Sequence, residues 1–357
     1  MPASPATHKP ETPLFEPVAT TVRDRSIDIA RMVAAAFIVV YHASETYSLI
    51  GGGNVLGRTP WEVVGNLGLW GRVPFFLLLS GYFAAVSLTR RNPTWWEFFK
   101  KRLVSLGPPF LFWNAVALVM LAVAVNRGVQ FQREHELTVA TVLMKLTCIG
   151  MGSANGPLWF VRDILLASML APLARRCGSW LLIPCLLLVI IPDIPIEWKE
   201  MGCPRPSSFG YFGIGMLLYQ LPKGIAGQFF PKPLWGFLLI LGVGLIHVIF
   251  SIYPAAFVGP ALGALGILLL GRYFHESWPA FGKWVAENAG ASFMIFATNI
   301  PYFAVVRQIY FRLPAWVPPL AFMILSAVVL ILGVIAFHRW VKNRCPRLLL
   351  VLGGGGA

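Results

Sequence analysis

Arg31 and His42 stand eleven residues apart in a stretch that is almost wholly apolar from Ile27 to Ala43, Asp28 excepted. An ionisable side chain inside a bilayer-length apolar run is costly and by default marks a functional site. If the stretch is helical, eleven positions make almost three turns, so the two side chains share one face roughly 16 Å apart. A cation near one end of a span and a titratable imidazole near its middle would suit a long ligand with an anionic head and a reactive tail. Arg25, Asp28 and Arg31 recur at three-residue steps and line one side of the helix start. A guanidinium fork there suits phosphate recognition, with Asp28 holding the arginines in place. Basic residues beside a span can also serve topology alone.

His42 has three readings: a general base, a hydrogen bonder to a ligand, or a buried histidine satisfied by neighbouring helices. Glu45, three residues on, could orient the imidazole or raise its basicity. No HExxH or Ser-His-Asp pattern points to zinc or hydrolytic chemistry. A second basic group, Arg90 and Arg91, then Lys100, Lys101 and Arg102 behind Trp95, Trp96, Phe98 and Phe99, interleaves cations with aromatics. It reads either as an interfacial helix against anionic membrane lipids or as cations presented to a nucleotide phosphate. Arg72 opens a second apolar run, and Gly156-Pro-Leu-Trp159-Phe-Val-Arg162-Asp163 opens a fourth. Arg162 and Asp163 are adjacent and so do not share a helix face, which predicts a separate partner for each, such as Glu45 or Arg72. Together they read as the wall of a polar cavity, or as structural ion pairs between spans.

These residues need helices to place them. The chain has 357 residues, 57% hydrophobic and 12% charged, about half the charge of a soluble domain. That predicts an all-α, polytopic integral membrane protein. Apolar windows suggest about ten transmembrane helices near residues 27–48, 66–89, 104–126, 157–176, 179–193, 207–222, 233–252, 256–272, 288–309 and 316–338. Residues 138–150 read as an amphipathic piece outside the bilayer. Residues 1–22 carry five prolines and no apolar core of a signal peptide, and read as a disordered cytoplasmic tail. The transmembrane domain then runs over 23–345, and 346–357 reads as a flexible tail. The net charge of +14 is spread over the ends of apolar runs, which argues against a nucleic-acid partner. With the N-terminus inside, 19 of the 29 Lys and Arg fall on the inner side, so both termini are expected in the cytoplasm. The five cysteines show no CxxC pair. Free thiols are the plain reading, a Cys148–Cys203 bridge is conceivable, and no metal site is expected.

At Arg25-x-x-Asp28-x-x-Arg31-x10-His42, Pro74-Phe-Phe-x-x-x-Ser80-Gly-Tyr and Pro157-Leu-Trp-Phe160 the chain resembles the acyltransferase-3 family of integral membrane acyltransferases. The resemblance runs from about residue 23 to 338. It implies acyl-CoA, acetyl-CoA above all, as a co-substrate rather than a permanently bound cofactor. It also implies a hydroxyl acceptor on a surface glycan or its lipid-linked precursor, and a place in a bacterial inner membrane. Arg31, Arg102, Arg25 and Lys101 would hold the CoA phosphates, and His42 with Glu45 would deprotonate the acceptor. Arg72, Trp159, Arg162 and Asp163 would bind substrate. Two positions depart from the family pattern. Ser105 stands where relatives carry the second arginine of an Arg-x-x-Arg element. Asn299 ends Ser292-Phe-Met-Ile-Phe-Ala-Thr-Asn where they carry histidine.

A rival reading from the same residues is a proton-coupled transporter or exporter in which His42, Glu45, Arg72, Arg162 and Asp163 form a relay. A structural or lipid-scrambling protein would merely pair these charges. The chain shows no internal repeat of the kind many transporters carry. Acceptor identity and oligomeric state are not legible.

Overall fold

A computed structural model describes residues 24–51, 71–127, 138–190, 202–220, 232–250 and 258–353. Its elements follow local signals in the chain. Helix α1 (Arg25–Leu49) starts at Asp24, whose side chain accepts from the Ser26 amide at 2.9 Å, and has no proline or glycine to interrupt it. Helix α2 (Arg72–Arg91) ends at Asn92 in the left-handed conformation, φ +40°. Two residues later a capping box between Thr94 and Glu97 starts α3 (Trp95–Asn126). Thr138 caps the short α4 (Val139–Thr147). A 3-10 turn over Gly156–Leu158 then feeds α5 (Trp159–Arg176).

The chain continues through α6 (Leu182–Ile190), α7 (Pro206–Leu218), α8 (Pro233–Phe250), α9 (Val258–Ser277) and α10 (Pro279–Asn288). It ends with α11 (Ser292–Tyr310), α12 (Pro319–Arg344) and a single-turn α13 (Leu349–Leu352). Among the described residues there is no strand. Among the described residues six stretches are long and apolar enough to cross a membrane: α1, α2, α3, the segment running into α5, α10 with α11, and α12. The other four expected spans overlap α6, α7, α8 and α9, which are not among those six.

The aromatic and basic run at residues 95–102 is not a separate interfacial helix. It forms the first turns of α3, whose 32 residues continue through Pro108 and Pro109. At 1.5 Å per residue α3 is roughly 48 Å long, well beyond the hydrocarbon thickness of about 30 Å, so its ends must overhang the core. Residues 346–353 are not a loose tail either. Trp113 Nε1 of α3 donates to the Leu352 carbonyl at 2.8 Å, and Leu352 is buried. The expected N-terminal tail (1–22) and residues 354–357 lie outside the described residues.

Helix α1 is the axis of the bundle. It packs on α2, α9, α10, α11 and α12, and Ile29, Ala30, Ala34, Ala35 and Val39 are wholly buried. Small residues allow this crowding: a Cβ on Gly271 of α9 would stand 2.6 Å from the Ser26 carbonyl oxygen. Helices α2 and α7 meet just as closely, with Gly81 against the Phe212 carbonyl and Gly215 against the Leu78 carbonyl.

Proline shapes the partner of α1. Pro301 in α11 has no N–H for the Ala297 carbonyl four residues back. Asn155, just before the Gly156–Leu158 turn, supplies the missing donor through Nδ2 at 2.7 Å. The Asn155 amide in turn donates to Asn114 Oδ1 of α3 at 2.9 Å, which also accepts from Ser153 Oγ at 2.6 Å. One buried network thus ties α3, the turn before α5 and α11 together.

Gly81→Ala should overpack the α2–α7 contact and destabilise the protein by about 1–3 kcal/mol. Thermal unfolding in detergent should show a lower Tm than wild type; an unchanged Tm would mean the two helices can separate at little cost.

Candidate active site

On α1 the structure joins the two residues that spacing singled out. His42 Nδ1 lies 2.9 Å from Glu45 Oε2, one helical turn away. An ionised carboxylate can only accept, so in the neutral imidazole Nδ1 is the donor and Nε2 bears the lone pair. The imidazole side chain is 16% exposed and Glu45 48% exposed, so the pair can be approached from outside the protein. Arg72, at the start of α2, places its guanidinium 3.8 Å from the ring centroid of Tyr41 and within electrostatic range of Glu45. Three expected site residues, His42, Glu45 and Arg72, therefore share one corner, with Tyr41 as a fourth member.

The other end of α1 carries Arg31. Its Nη1 sits 3.5 Å from Asp28 Oδ1, and its Nη2 donates to Ser292 Oγ, the first residue of α11, at 3.4 Å. The side chain remains 31% exposed. Arg25 is exposed one turn before Asp28. Because α1 is unbroken from Arg25 to Leu49, the axial distance from Arg31 to His42 is the roughly 16 Å of eleven helical steps. Lys101 is exposed, whereas Arg102 turns inward. Arg102 donates to the Ser80 carbonyl at 3.3 Å and lies over the Phe98 ring at 5.6 Å. Arg31 thus engages α11 and Arg102 engages α2. Ser105, in place of a second arginine, bonds back to the Arg102 carbonyl at 3.1 Å.

Arg162 and Asp163 correct an expectation. They do not seek partners in Glu45 or Arg72 but pair with each other: Asp163 Oδ1 lies 2.9 Å from Arg162 Nε and 2.6 Å from Nη2. Adjacent side chains diverge along a helix, but at this first turn the long arginine folds around far enough to reach its neighbour. The rest of the guanidinium binds the carbonyls of Cys148, Gly202 and Cys203. Asp163 Oδ2 accepts from the Arg205 amide at 3.2 Å and Ser208 Oγ at 2.8 Å. The pair is buried and fixes the segments before α5 and α7. Trp159, nearby, is covered by the Arg205 guanidinium at 3.6 Å. All five cysteines are free thiols, and burial pushes the Cys148 thiol up. Among the described residues no group of His, Cys, Asp or Glu could hold a metal.

The family model described as an acyltransferase domain, acyltransferase-3, matches residues 24–338. The chain belongs to this family. The match spans α1 through most of α12 and so contains both ends of the Arg31–His42 pair. The chain is also similar to the succinoglycan biosynthesis protein ExoH of Rhizobium meliloti (strain 1021), with 25% identity over 297 residues covering 79% of this chain and 78% of the relative. No solved structure matches. As an acyltransferase-3 protein it is an integral membrane acyltransferase.

Sequence reasoning passed over Ser292, Tyr41, Arg205 and Ser208 as site or support residues. Ser292 lay inside a recognised landmark, and its contact with Arg31 depends on how α11 packs against α1. Asn299, in that same landmark, is wholly buried.

Asp163→Ala would leave the Arg162 guanidinium buried without its anion, a loss of about 3–5 kcal/mol. The expected result is a marked drop in Tm in detergent. A variant with wild-type Tm that loses only substrate affinity would assign the pair to substrate binding instead.

Proposed function

We propose that this acyltransferase moves an acyl group, acetyl in the simplest case, from cytoplasmic acyl-CoA to a hydroxyl of a cell-surface glycan or its lipid-linked precursor. The observation that carries the proposal is the His42–Glu45 pair at 2.9 Å, on the same face of one unbroken helix as Arg31. Arg25 and Arg31 at the start of α1, with Lys101 and Arg102 at the start of α3, would hold the CoA phosphates. The pantetheine arm would run along α1 and bring the thioester to the imidazole.

His42 Nε2 takes the proton of the acceptor hydroxyl as its oxygen attacks the thioester carbonyl. Glu45 holds Nδ1–H and stabilises the imidazolium that forms. The tetrahedral adduct then collapses, the C–S bond breaks, and the CoA thiolate leaves with the proton from His42. This direct transfer needs no enzyme nucleophile. Arg72, beside Tyr41, offers a fixed positive charge to the acceptor side of the reaction.

The relative's role in succinoglycan biosynthesis supports a polysaccharide acceptor and a bacterial setting. The apolar windows support ten spans, the excess of Lys and Arg on one set of loops supports both termini in the cytoplasm, and the family supports an inner-membrane location. A relay through Arg162 and Asp163, as a transporter would need, is not supported, since those two groups are spent on each other and on backbone.

Purified protein in detergent, given acetyl-CoA and an acceptor-containing membrane extract, should release free CoA. His42→Ala should lower that rate at least about 100-fold while leaving Tm intact; normal turnover would sink the general-base assignment. Arg31→Ala should weaken CoA binding by roughly 1.5–3 kcal/mol. An affinity equal to wild type would leave Arg31 with a role in topology only.

A further inference from the structure

Asn299 is wholly buried, and neither Nδ2 nor Oδ1 of its carboxamide has a hydrogen-bond partner among the described residues. A buried amide left unpaired inside an apolar bundle is costly and calls for an explanation. Its neighbours show where it faces. Ile295 and Phe303, one turn to either side, share a core cluster with Met32, Ala35, Val39 and Ala43 of α1. Phe296 packs instead in the cluster that holds Ile38. Asn299 therefore sits on the seam between two cores, on the side of α11 that meets α1.

Its height follows from register. Ser292, the first residue of α11, touches Arg31 one and a half turns into α1, so for the two helices to stay packed together α11 must run beside the rest of α1 in the same direction. Ser292 and Asn299 are seven residues apart, hence on one face and roughly 10 Å apart along the axis. Of the roughly 16 Å from Arg31 to His42, Asn299 stands about two-thirds of the way along, some 6 Å short of the imidazole.

That interval matches a chemical one. In an acyl-CoA, four bonds separate the nitrogen of the last pantetheine amide from the thioester carbonyl carbon, on the order of 5 Å when extended. With the carbonyl at His42, this secondary amide falls at the height of Asn299. A secondary amide offers one N–H and one C=O, and the asparagine carboxamide offers the matching acceptor and donor. We propose that Asn299 is a donor-binding residue that pairs with the thioester-proximal amide of the pantetheine arm and so sets how far the thioester advances toward His42. The inference rests on acyl-CoA being the donor.

The test compares Asn299→Leu and Asn299→Ala with wild type in detergent, measuring binding of CoA and of 3′-phospho-ADP, the nucleotide half of CoA without the arm. Both variants should lose about 10-fold in CoA affinity, the worth of one or two neutral hydrogen bonds. Both should bind the nucleotide half as wild type does. The Leu variant should also have a Tm no lower than wild type, because an unpaired buried amide has been removed. Unchanged CoA affinity in both variants, or equal losses for CoA and its nucleotide half, would overturn the role of Asn299 and leave the donor assignment standing. A wild-type protein that binds neither probe would overturn the acyl-CoA reading and this inference with it.

Discussion

A polar group inside an apolar bundle has no water to fall back on, so the protein must supply each partner from within. Much of this fold can be read as that requirement being met. The carbonyl that Pro301 strands at Ala297 is answered by Asn155, and the loop that carries Asn155 is in turn held by Asn114. Arg162 and Asp163 cancel each other's charge and spend every remaining donor and acceptor on the segments that lead into α5 and α7. The indole of Trp113 draws the end of the chain back onto α3. Apart from the Arg162–Asp163 pair itself, these bonds join segments separated in sequence, so satisfying local polarity also assembles the bundle.

Against this background the groups at the proposed site stand apart. His42 has a second ring nitrogen beyond its bond to Glu45, the Arg31 side chain is 31% exposed, and the Asn299 carboxamide has no hydrogen-bond partner among the described residues. Arg31 and Asn299 border the seam between α1 and α11. Stability alone would favour closing it with hydrocarbon, and the cost of leaving it polar is consistent with a site built for a ligand rather than for packing.

The architecture was legible wherever the signal was local. Apolar runs marked the helices, the eleven-residue interval marked the Arg31–His42 face, and the i, i+3 step anticipated the His42–Glu45 bond. What depended on tertiary contact was not. Nothing near Arg162 announces that it folds onto its own neighbour and three backbone carbonyls, because those carbonyls arrive from residues 148, 202 and 203. The tail beyond residue 345 looked featureless, since its anchor is a tryptophan more than 200 positions earlier. The aromatic run at Trp95 resembled a surface helix, and only the passage of α3 through Pro108–Pro109 makes it the overhanging end of a span.

The straightness of α1 has an evolutionary corollary. Between Arg31 and His42 the residues are Ala, Val, Ile, Phe, Met and Tyr, and many exchanges of apolar type there would keep the packing. Inserting or deleting a single residue is a different matter, for it would swing His42 about 100° around the helix and carry it off the face that bears Arg31. Descendants of this chain are free to drift in spelling across that interval, but not in length.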